Sequence, residues 1–274
     1  MKLSDLFTYK PIPRITSISG NYPMSNKSII FGVEIELEEV KFKTEPVPKT
    51  WKITEDNSLK IQGYEFVSAP LKQQYLETEL RRLFQGIEAK PTGRCSVHVH
   101  LNARDFTPEE LMKFLLLYLV FEKGLFNYSG NRWDNNYCIP LFEAVQQTEE
   151  AIYCVKNGGL PSSIWSKYFA LNLCPIWGAD GSQKQGTIEF RHMQGNMEIE
   201  YILDWVNLIS RLKMAAKKMD KDELLSHIRT MNTSSGYYWL AKEVFGKWST
   251  LITSQPTFKQ DVESCISRVK YFLL

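Results

Sequence analysis

Two segments with strict alternation of apolar and polar residues constrain the fold of this chain more than any other feature. Residues 29–40, with the sequence IIFGVEIELEEV, place glutamates at alternate positions, and residues 96–102, SVHVHLN, place histidines in the same way. Successive side chains of a β-strand point to opposite faces of the sheet, so each segment is predicted to be a strand with one apolar and one polar face. This pattern is typical of an antiparallel sheet that packs one face against a core.

Three further segments, residues 61–68, 166–173 and 187–193, carry similar patterns and are also predicted to be strands. A turn rich in glycine and polar residues, 178–186, lies between the last two and favours an antiparallel pair with a long connection.

Helices are predicted at residues 71–84, 140–155 and 199–212, where apolar side chains recur with helical spacing. Another begins at Thr107, a good N-cap residue, followed by Pro108 at the first helical position. Strands mixed with helices and followed by helices alone indicate an α+β fold rather than a regular βαβ array.

The pattern divides the chain into three parts. Residues 1–28 are rich in Pro, Ser, Asn and Gly and are predicted to be an irregular N-terminal arm. Residues 29–215 hold the strands and form the main domain. Residues 216–274 are predicted to be a helical segment of two or three helices beyond residue 220, packed on the same domain.

Composition excludes several classes of protein. The 274 residues include 33 basic and 31 acidic side chains, so the charge balance indicates no nucleic-acid partner. The five cysteines form no CxxC pair, and no apolar run approaches the roughly 20 residues of a membrane span, so we expect a cytoplasmic protein without a membrane partner. Phosphate-binding P-loop and Rossmann motifs and the GxSxG nucleophile motif are absent from the sequence.

The polar faces of the predicted strands carry an unusual set of side chains. Glutamates dominate the set, together with two histidines and one arginine: Glu34, Glu36, Glu38, Glu65, Glu189, His98, His100 and Arg191. One alternative is that each strand simply exposes a solvated face. If the faces converge, however, five carboxylates need compensation by cations, and oxygen donors with occasional imidazoles suit Mg²⁺ or Mn²⁺ better than Zn²⁺.

The order of the motifs resembles the amidoligase family, which is related to glutamine synthetase and glutamate–cysteine ligase. The resemblance runs from about residue 31 to residue 212 and rests on the following segments: GVEIELE, EDNSL, GYEFVSAPL, RCSVHVHLNARDFT, NRWDNNYC, KYFALN and GTIEFRHMQGNMEIEYILDWVNLI. Ser96 is a departure, since the family usually has glycine there. The resemblance implies a curved antiparallel sheet of the glutamine synthetase catalytic-domain type, with the active site on its concave face and helices on its outer face. Residues 29–215 would then be the catalytic domain.

The resemblance also implies roles for individual residues. The implied metal ligands are Glu34, Glu36, Glu65, His98 and Glu189. The implied cofactor-binding residues are His98, His100, Lys167, Asn172 and Arg191. The implied catalytic residues are Arg191, Arg132 and Asp56, where Asp56 would serve the amine and Arg132 the acceptor carboxylate or its phosphate.

The activity that the resemblance implies is ATP-dependent amide formation between a carboxylate and an amine, with two or three Mg²⁺ ions, or Mn²⁺ in their place. The carboxylate could belong to a small molecule or a peptide, and the sequence indicates neither substrate nor oligomeric state. Two alternatives remain open at this point: a phosphotransferase similar to guanido kinases on the same scaffold, and an inactive nucleotide-binding module.

Overall fold

The computed structural model leaves several short segments undescribed, among them residues 14–19 of the predicted arm and 180–182 of the predicted turn. The described residues are 1–13, 20–43, 47–56, 58–130, 132–157, 159, 165–179, 183–254 and 258–273.

The strands form an antiparallel sheet around the segment with alternating glutamates. The described strands are β1 (Ile30–Phe42), β2 (Trp51–Glu55), β3 (Tyr64–Ser68), β4 (Leu71–Lys72), β5 (Ile87–Lys90), β6 (Ser96–Asn102), β7 (Leu171–Asn172) and β8 (Thr187–Gln194). Their order is β2-β3-β1-β6-β8-β7, and β4 and β5 also pair with β1. All of these pairs are antiparallel, as predicted.

Helices alternate with the strands and then fill the C-terminal part, so the predicted α+β class is confirmed. The described helices are α1 (Leu3–Leu6), α2 (Leu76–Gln85), α3 (Pro108–Tyr128), α4 (Val145–Lys156), α5 (Cys174–Trp177), α6 (Ile199–Lys218), α7 (Lys221–Thr230), α8 (Ser234–Phe245), α9 (Ser249–Thr253) and α10 (Phe258–Tyr271). Four described helices follow α6, where two or three were predicted. Of the helices described, none is both long enough and apolar enough to pass through a lipid bilayer.

The apolar face of the sheet packs against α3 and α6. Phe190 of β8 makes edge-to-face contacts with Phe114 of α3 and Trp205 of α6, with ring centroids 6.1 Å apart in both pairs. One continuous core includes these rings, Leu3 from the arm and Val269 from α10. The arm is therefore not wholly irregular, because α1 forms one helical turn and buries Leu3 completely.

Helix α3 begins as predicted. The Thr107 hydroxyl accepts a hydrogen bond from the Glu110 N–H, and the Glu110 carboxylate accepts one from the Thr107 N–H. This reciprocal pair satisfies two N–H groups that a helix start otherwise leaves unpaired.

Two predicted helices begin later than the apolar pattern suggests. Leu71 pairs with Phe31 in the sheet, so the predicted helix 71–84 is preceded by β4 and a 3₁₀ turn. Helix α4 begins at Val145 rather than at residue 140. The buried Glu122 carboxylate accepts hydrogen bonds from the N–H groups of Leu141 and Phe142, which holds the preceding chain outside the helix.

The predicted strand 166–173 is reduced to β7. The Ser166 hydroxyl accepts a hydrogen bond from the Tyr168 N–H, and the Ser166 carbonyl accepts one from the Phe169 N–H. Serine side chains compete with regular backbone pairing in this way, so this part of the chain forms a turn.

Candidate functional site

The polar face of the sheet brings the predicted site residues of β3, β1 and β6 into one row. Glu36 of β1 lies directly opposite Glu65 of β3, and Glu34 lies directly opposite His98 of β6. Like charges opposite each other in neighbouring strands destabilise a sheet. The opposed carboxylates therefore lower the stability of the sheet, and this argues that the polar face has a function.

Strands β8 and β7 extend the row on the other side of β6. Glu189 of β8 lies opposite His100 of β6 and also opposite Asn172 of β7. The Asn172 amide donates a 2.6 Å hydrogen bond to Glu189, and its carbonyl oxygen accepts one from the Cys174 N–H. Asn172 is thus fixed from both ends and orients the Glu189 carboxylate.

Three side chains of the row form its tightest cluster. One potential ligand atom from each of Glu34, His98 and Glu189 lies within 4.8 Å of the other two. The His98 Nδ1 atom is 3.5 Å from a carboxylate oxygen of Glu34 and 3.5 Å from one of Glu189. Both histidines of β6 are buried, at 4% and 8% exposure for His98 and His100, so this cluster is largely withdrawn from water.

Two hydroxyl groups contact side chains of the row. Ser96 donates a 2.6 Å hydrogen bond to Glu36 and lies 2.8 Å from the His98 Nε2 atom. The Thr187 hydroxyl lies 3.1 Å from the His100 Nδ1 atom. Such partners fix the orientation of ligand side chains and tune their basicity. Ser96 therefore has a positioning contact in this chain.

Two arginines lie at the β8 end of the row. Arg191 forms an ion pair with Glu189 and donates a 3.0 Å hydrogen bond to the Tyr137 carbonyl. Arg132 donates a 3.1 Å hydrogen bond to the Arg191 carbonyl, and its buried Nε–H has no partner among the described residues. A β-bulge in β8, where the register with β6 shifts between Val97 and Val99, re-aims the chain at this point.

The pKa values show how strongly the charges interact. Burial and the charges of Glu34, Glu36 and Asp56 raise the pKa of Glu65 to about 7. Burial opposes ionisation of Glu34 as well, but the neighbouring His100 and His98 outweigh it and hold the pKa of Glu34 well below its usual value.

The imidazole of His100 is the main positive charge at the centre of the row. Burial disfavours its charged form, but the charges of Glu34 and Glu189 outweigh this and raise the pKa of His100 to about 9. The pKa of Glu189 is lowered in turn: burial opposes ionisation, and His100 and Arg191 overcome that effect.

A buried polar network supports the loop that contacts Arg191. The Tyr118 hydroxyl donates a 2.8 Å hydrogen bond to Glu122 and lies 2.7 Å from the His192 Nε2 atom. His192 is completely buried on the core side of β8, as its position in the alternating pattern predicts. Burial raises the pKa of Glu122 to about 7.

Other predicted residues lie at the edge of the row or outside it. Asp56 follows β2, accepts a 2.8 Å hydrogen bond from the Ser58 N–H, and contributes charge that raises the pKa of Glu65. Lys167 has its ammonium nitrogen 5.3 Å from the ring centroid of Tyr168, in the turn before β7. The catalytic role of Asp56 and the cofactor role of Lys167 stay predictions.

Glu38 does not join the row, which corrects the expectation that five carboxylates converge. Its side chain is completely buried and accepts hydrogen bonds from Arg94, from the Thr92 hydroxyl and from the Lys60 N–H. The register of β1 with β5 shifts just beyond Glu38, and Glu39 there has a φ of 53°. The row therefore ends before this β-bulge, and Glu38 forms an ion pair with Arg94 instead.

The donor set fits a hard divalent cation. Glu34, His98 and Glu189 provide two carboxylates and one imidazole, and the Glu36–Glu65 pair provides two more carboxylates beside them. Mg²⁺ and Mn²⁺ prefer oxygen ligands and accept an imidazole, whereas a structural zinc site uses mainly Cys and His. The opposed Glu36 and Glu65 also leave negative charge that a cation would neutralise.

Sequence reasoning missed parts of the site that depend on tertiary contacts. The Tyr137 carbonyl, which receives Arg191, and the Thr187 hydroxyl, which faces His100, were not predicted to take part. Thr187 could have been found, because it shares a strand face with Glu189 and Arg191. A backbone carbonyl from a distant loop leaves no signal in the sequence.

Comparison of the sequence with models of protein families finds no match. Comparison with curated proteins finds no significant relative either. Interpretation of this site therefore rests on its own geometry and chemistry.

Proposed function

We propose that this chain is an ATP- and Mg²⁺-dependent carboxylate–amine ligase that forms an amide bond through an acyl phosphate. The observation that carries the proposal is the row of carboxylates and imidazoles on one sheet face, with arginines at one end. Within that row, Glu34, His98 and Glu189 offer ligand atoms within 4.8 Å of one another. We further propose that the sheet is of the glutamine synthetase type, with this face concave.

The proposed reaction has two steps. A carboxylate oxygen of the acceptor first bonds to the γ-phosphorus of ATP, and the bond from that phosphorus to the bridging oxygen breaks, which releases ADP. The amine nitrogen then bonds to the acyl carbon, the carbon–oxygen bond to phosphate breaks, and the amine loses a proton. Phosphorylation is needed because oxide is a very poor leaving group, whereas phosphate is a good one.

The row would hold the cation and the phosphates. Glu34, Glu36, Glu65, His98 and Glu189 are the proposed metal ligands. Bound Mg²⁺ would supply charge neutralisation for the phosphate oxygens and for the carboxylates themselves. In the metal-free protein the charges of Glu34 and Glu189 raise the pKa of His100 to about 9, and a protonated imidazole at this position would attract phosphate.

The arginines suit the charge that moves during phosphoryl transfer. Arg191 already contacts Glu189, so its guanidinium is held beside the proposed metal site. Arg132 is partly buried, burial lowers its pKa, and its Nε–H is buried without a hydrogen-bond partner among the described residues. A partly buried guanidinium with an unpartnered N–H favours binding of a carboxylate or a phosphate.

Proton removal from the amine needs a base near the open side of the row. Asp56, which lies close enough to raise the pKa of Glu65, is our candidate. Lys167 and Asn172 are proposed to contact the cofactor.

The test is an assay for ADP release in the presence of ATP, Mg²⁺ and a mixture of amino acids, small peptides and amines. Release that requires both a carboxylate and an amine, together with an amide product detected by mass spectrometry, would support the proposal. Glu34→Gln and Glu189→Gln should lower turnover by about 10²-fold or more, because each removes charge at the proposed metal site. Glu88→Gln, an exposed glutamate on β5, is the matched control.

Other outcomes would contradict the proposal in distinct ways. Full turnover in both site variants would refute the site. A stable phosphorylated product formed without an amine would identify a phosphotransferase instead. Failure of the wild-type chain to bind ATP or a divalent cation in calorimetry would rule out both activities and leave no role for the row in nucleotide chemistry.

A further inference from the structure

A large cavity opens beside the row, and neither Arg132 nor Arg191 is among its lining residues. Its volume is about 720 Å³, and both Glu34 and His100 line it. Cavities of roughly 300–1,000 Å³ are typical of sites for small molecules and cofactors. The N-terminal arm, at residues 8 and 10–13, and the segment 183–185 form much of its wall.

Gly32 forms part of the cavity floor. It lies on the polar face of β1, two residues before Glu34 and directly opposite His100. A Cβ atom added at Gly32 would come no closer than 3.9 Å to the His100 Cβ and the Ser68 Oγ, and its φ is not in the left-handed region. The backbone therefore does not require glycine here. A glycine inside a strand often marks a close approach of a ligand, and here it leaves a flat surface beside the row.

Arg104 joins the two parts of the cavity wall. It donates a 2.6 Å hydrogen bond to the Lys10 carbonyl in the arm and two, of 3.0 and 2.7 Å, to the Gln185 carbonyl. Its guanidinium also lies 5.0 Å from the Tyr9 ring centroid. Gly186, with a φ of 71°, permits this approach, because a Cβ there would lie 2.6 Å from the Arg104 Cγ.

The lining combines apolar surface with positive charge. Ile12, Pro13 and Pro70 are apolar residues of the lining, and Lys10 and Lys184 are basic ones. A ligand that fits must have a moderately apolar body and an anionic part. Since the cavity is continuous with the proposed metal site, the anionic part would point toward His100.

We propose that this cavity binds the nucleoside part of a nucleoside triphosphate, and that the arm, fixed by Arg104, is a wall of that site. The inference rests on the proposed function, because the triphosphate is placed against the row. In this proposal Gly32 and Ile12 contact the nucleoside, so the site binds a nucleoside triphosphate more tightly than a bare phosphate chain. The N-terminal arm is thus part of the proposed binding site.

The test compares binding of ATP with binding of inorganic tripolyphosphate, each with Mn²⁺, by calorimetry. Tripolyphosphate carries the anionic part without the nucleoside. Gly32→Leu should weaken ATP binding at least about tenfold, because its side chain fills the cavity floor, and should leave tripolyphosphate binding unchanged. Gly93→Leu is the matched control, since nothing lies within 4 Å of a Cβ added in that exposed turn.

A second variant keeps the inference open to refutation if Gly32→Leu disturbs the strand and binding of both probes falls. Ile12→Trp fills the cavity from the arm and should also weaken ATP binding, by about fivefold or more, with tripolyphosphate unaffected. Equal ATP affinity in wild type and Ile12→Trp, or in wild type and a folded Gly32→Leu, overturns the inference and leaves the proposed function intact. If the wild-type chain binds neither probe with Mn²⁺, the proposed function fails, and this inference fails with it.

Discussion

Replacement of Glu65 by Gln should stabilise the metal-free protein above neutral pH. Glu65 lies directly opposite Glu36, and burial together with the charges of Glu34, Glu36 and Asp56 raises its pKa from 4.5 to about 7. Because the folded-state pKa is above the unfolded value, folding favours the protonated form. The stability from this group is fully present below pH 4.5 and is lost as the pH rises through about 7.

The magnitude follows from the gap between the two pKa values. At about 1.4 kcal/mol per pH unit, the gap corresponds to an upper bound of about 3.5 kcal/mol. Glu65 is only partly buried, and solvent screening reduces this to about 1–2 kcal/mol. Glu65→Gln removes the charge while keeping the shape of the side chain. The variant should therefore exceed the wild type in free energy of unfolding by about 1–2 kcal/mol at pH 8 and match it at pH 4.5.

Urea denaturation in the presence of a chelator, at pH 4.5 and at pH 8, measures this difference. Glu88→Gln serves as the control and should show no gain at either pH. Added Mn²⁺ should then stabilise the wild type more than Glu65→Gln, since binding to the folded state stabilises it by mass action. If Glu65→Gln has a lower free energy of unfolding than the wild type at pH 8, the argument that repulsion between carboxylates destabilises this face is refuted.

Three further predictions concern the surroundings of the row. Glu38→Gln should lower the free energy of unfolding by about 1–2 kcal/mol, because it weakens the contact of a buried carboxylate with Arg94, whose side chain is 41% exposed, yet it should leave Mn²⁺ binding intact; urea denaturation and a Mn²⁺ titration check both, and a loss of Mn²⁺ binding would show that Glu38 belongs to the site. In the wild type the buried Glu122 carboxyl loses its proton between pH 4.5 and 7, and the free energy of unfolding should fall by up to about 3 kcal/mol over that range. Glu122→Gln should not show this fall, and equal pH profiles of the two proteins in denaturation would contradict the raised pKa. Arg191→Lys should lower ATP turnover about 10²–10³-fold with little change in the melting temperature, because lysine cannot serve Glu189 and the Tyr137 carbonyl together; unchanged kinetics would exclude Arg191 from the reaction.

Alternation of residue type was enough to predict the face of the sheet that carries the site. The period of two placed Glu34 and Glu36 on one side of β1 and His98 and His100 on one side of β6, and these strands are neighbours in the structure. Pattern alone could not predict that β8 is the next neighbour, because strand order depends on long-range packing.

Glu38 and the short strands show where sequence reasoning fails. Glu38 continues the alternation of β1, but the bulge at Glu39 and the partner Arg94 remove it from the row. Arg94 lies in the turn between β5 and β6, and the Glu39 N–H donates to the Ile61 carbonyl in the connection between β2 and β3, so neither contact is specified by a local pattern. Strands β2 and β5 were not predicted because they are short, and their exposed positions give little hydrophobic contrast.

The central claim is that the acidic row binds a divalent cation, and direct measurement of Mn²⁺ binding by electron paramagnetic resonance tests it. The signal of free hydrated Mn²⁺ falls as the ion binds, which gives the stoichiometry and the affinity without any substrate. We expect the wild type and Glu88→Gln to bind at least one Mn²⁺, and Glu34→Gln to bind it at least about tenfold more weakly. An undiminished Mn²⁺ signal with the wild type, or equal binding by Glu34→Gln, would contradict the claim.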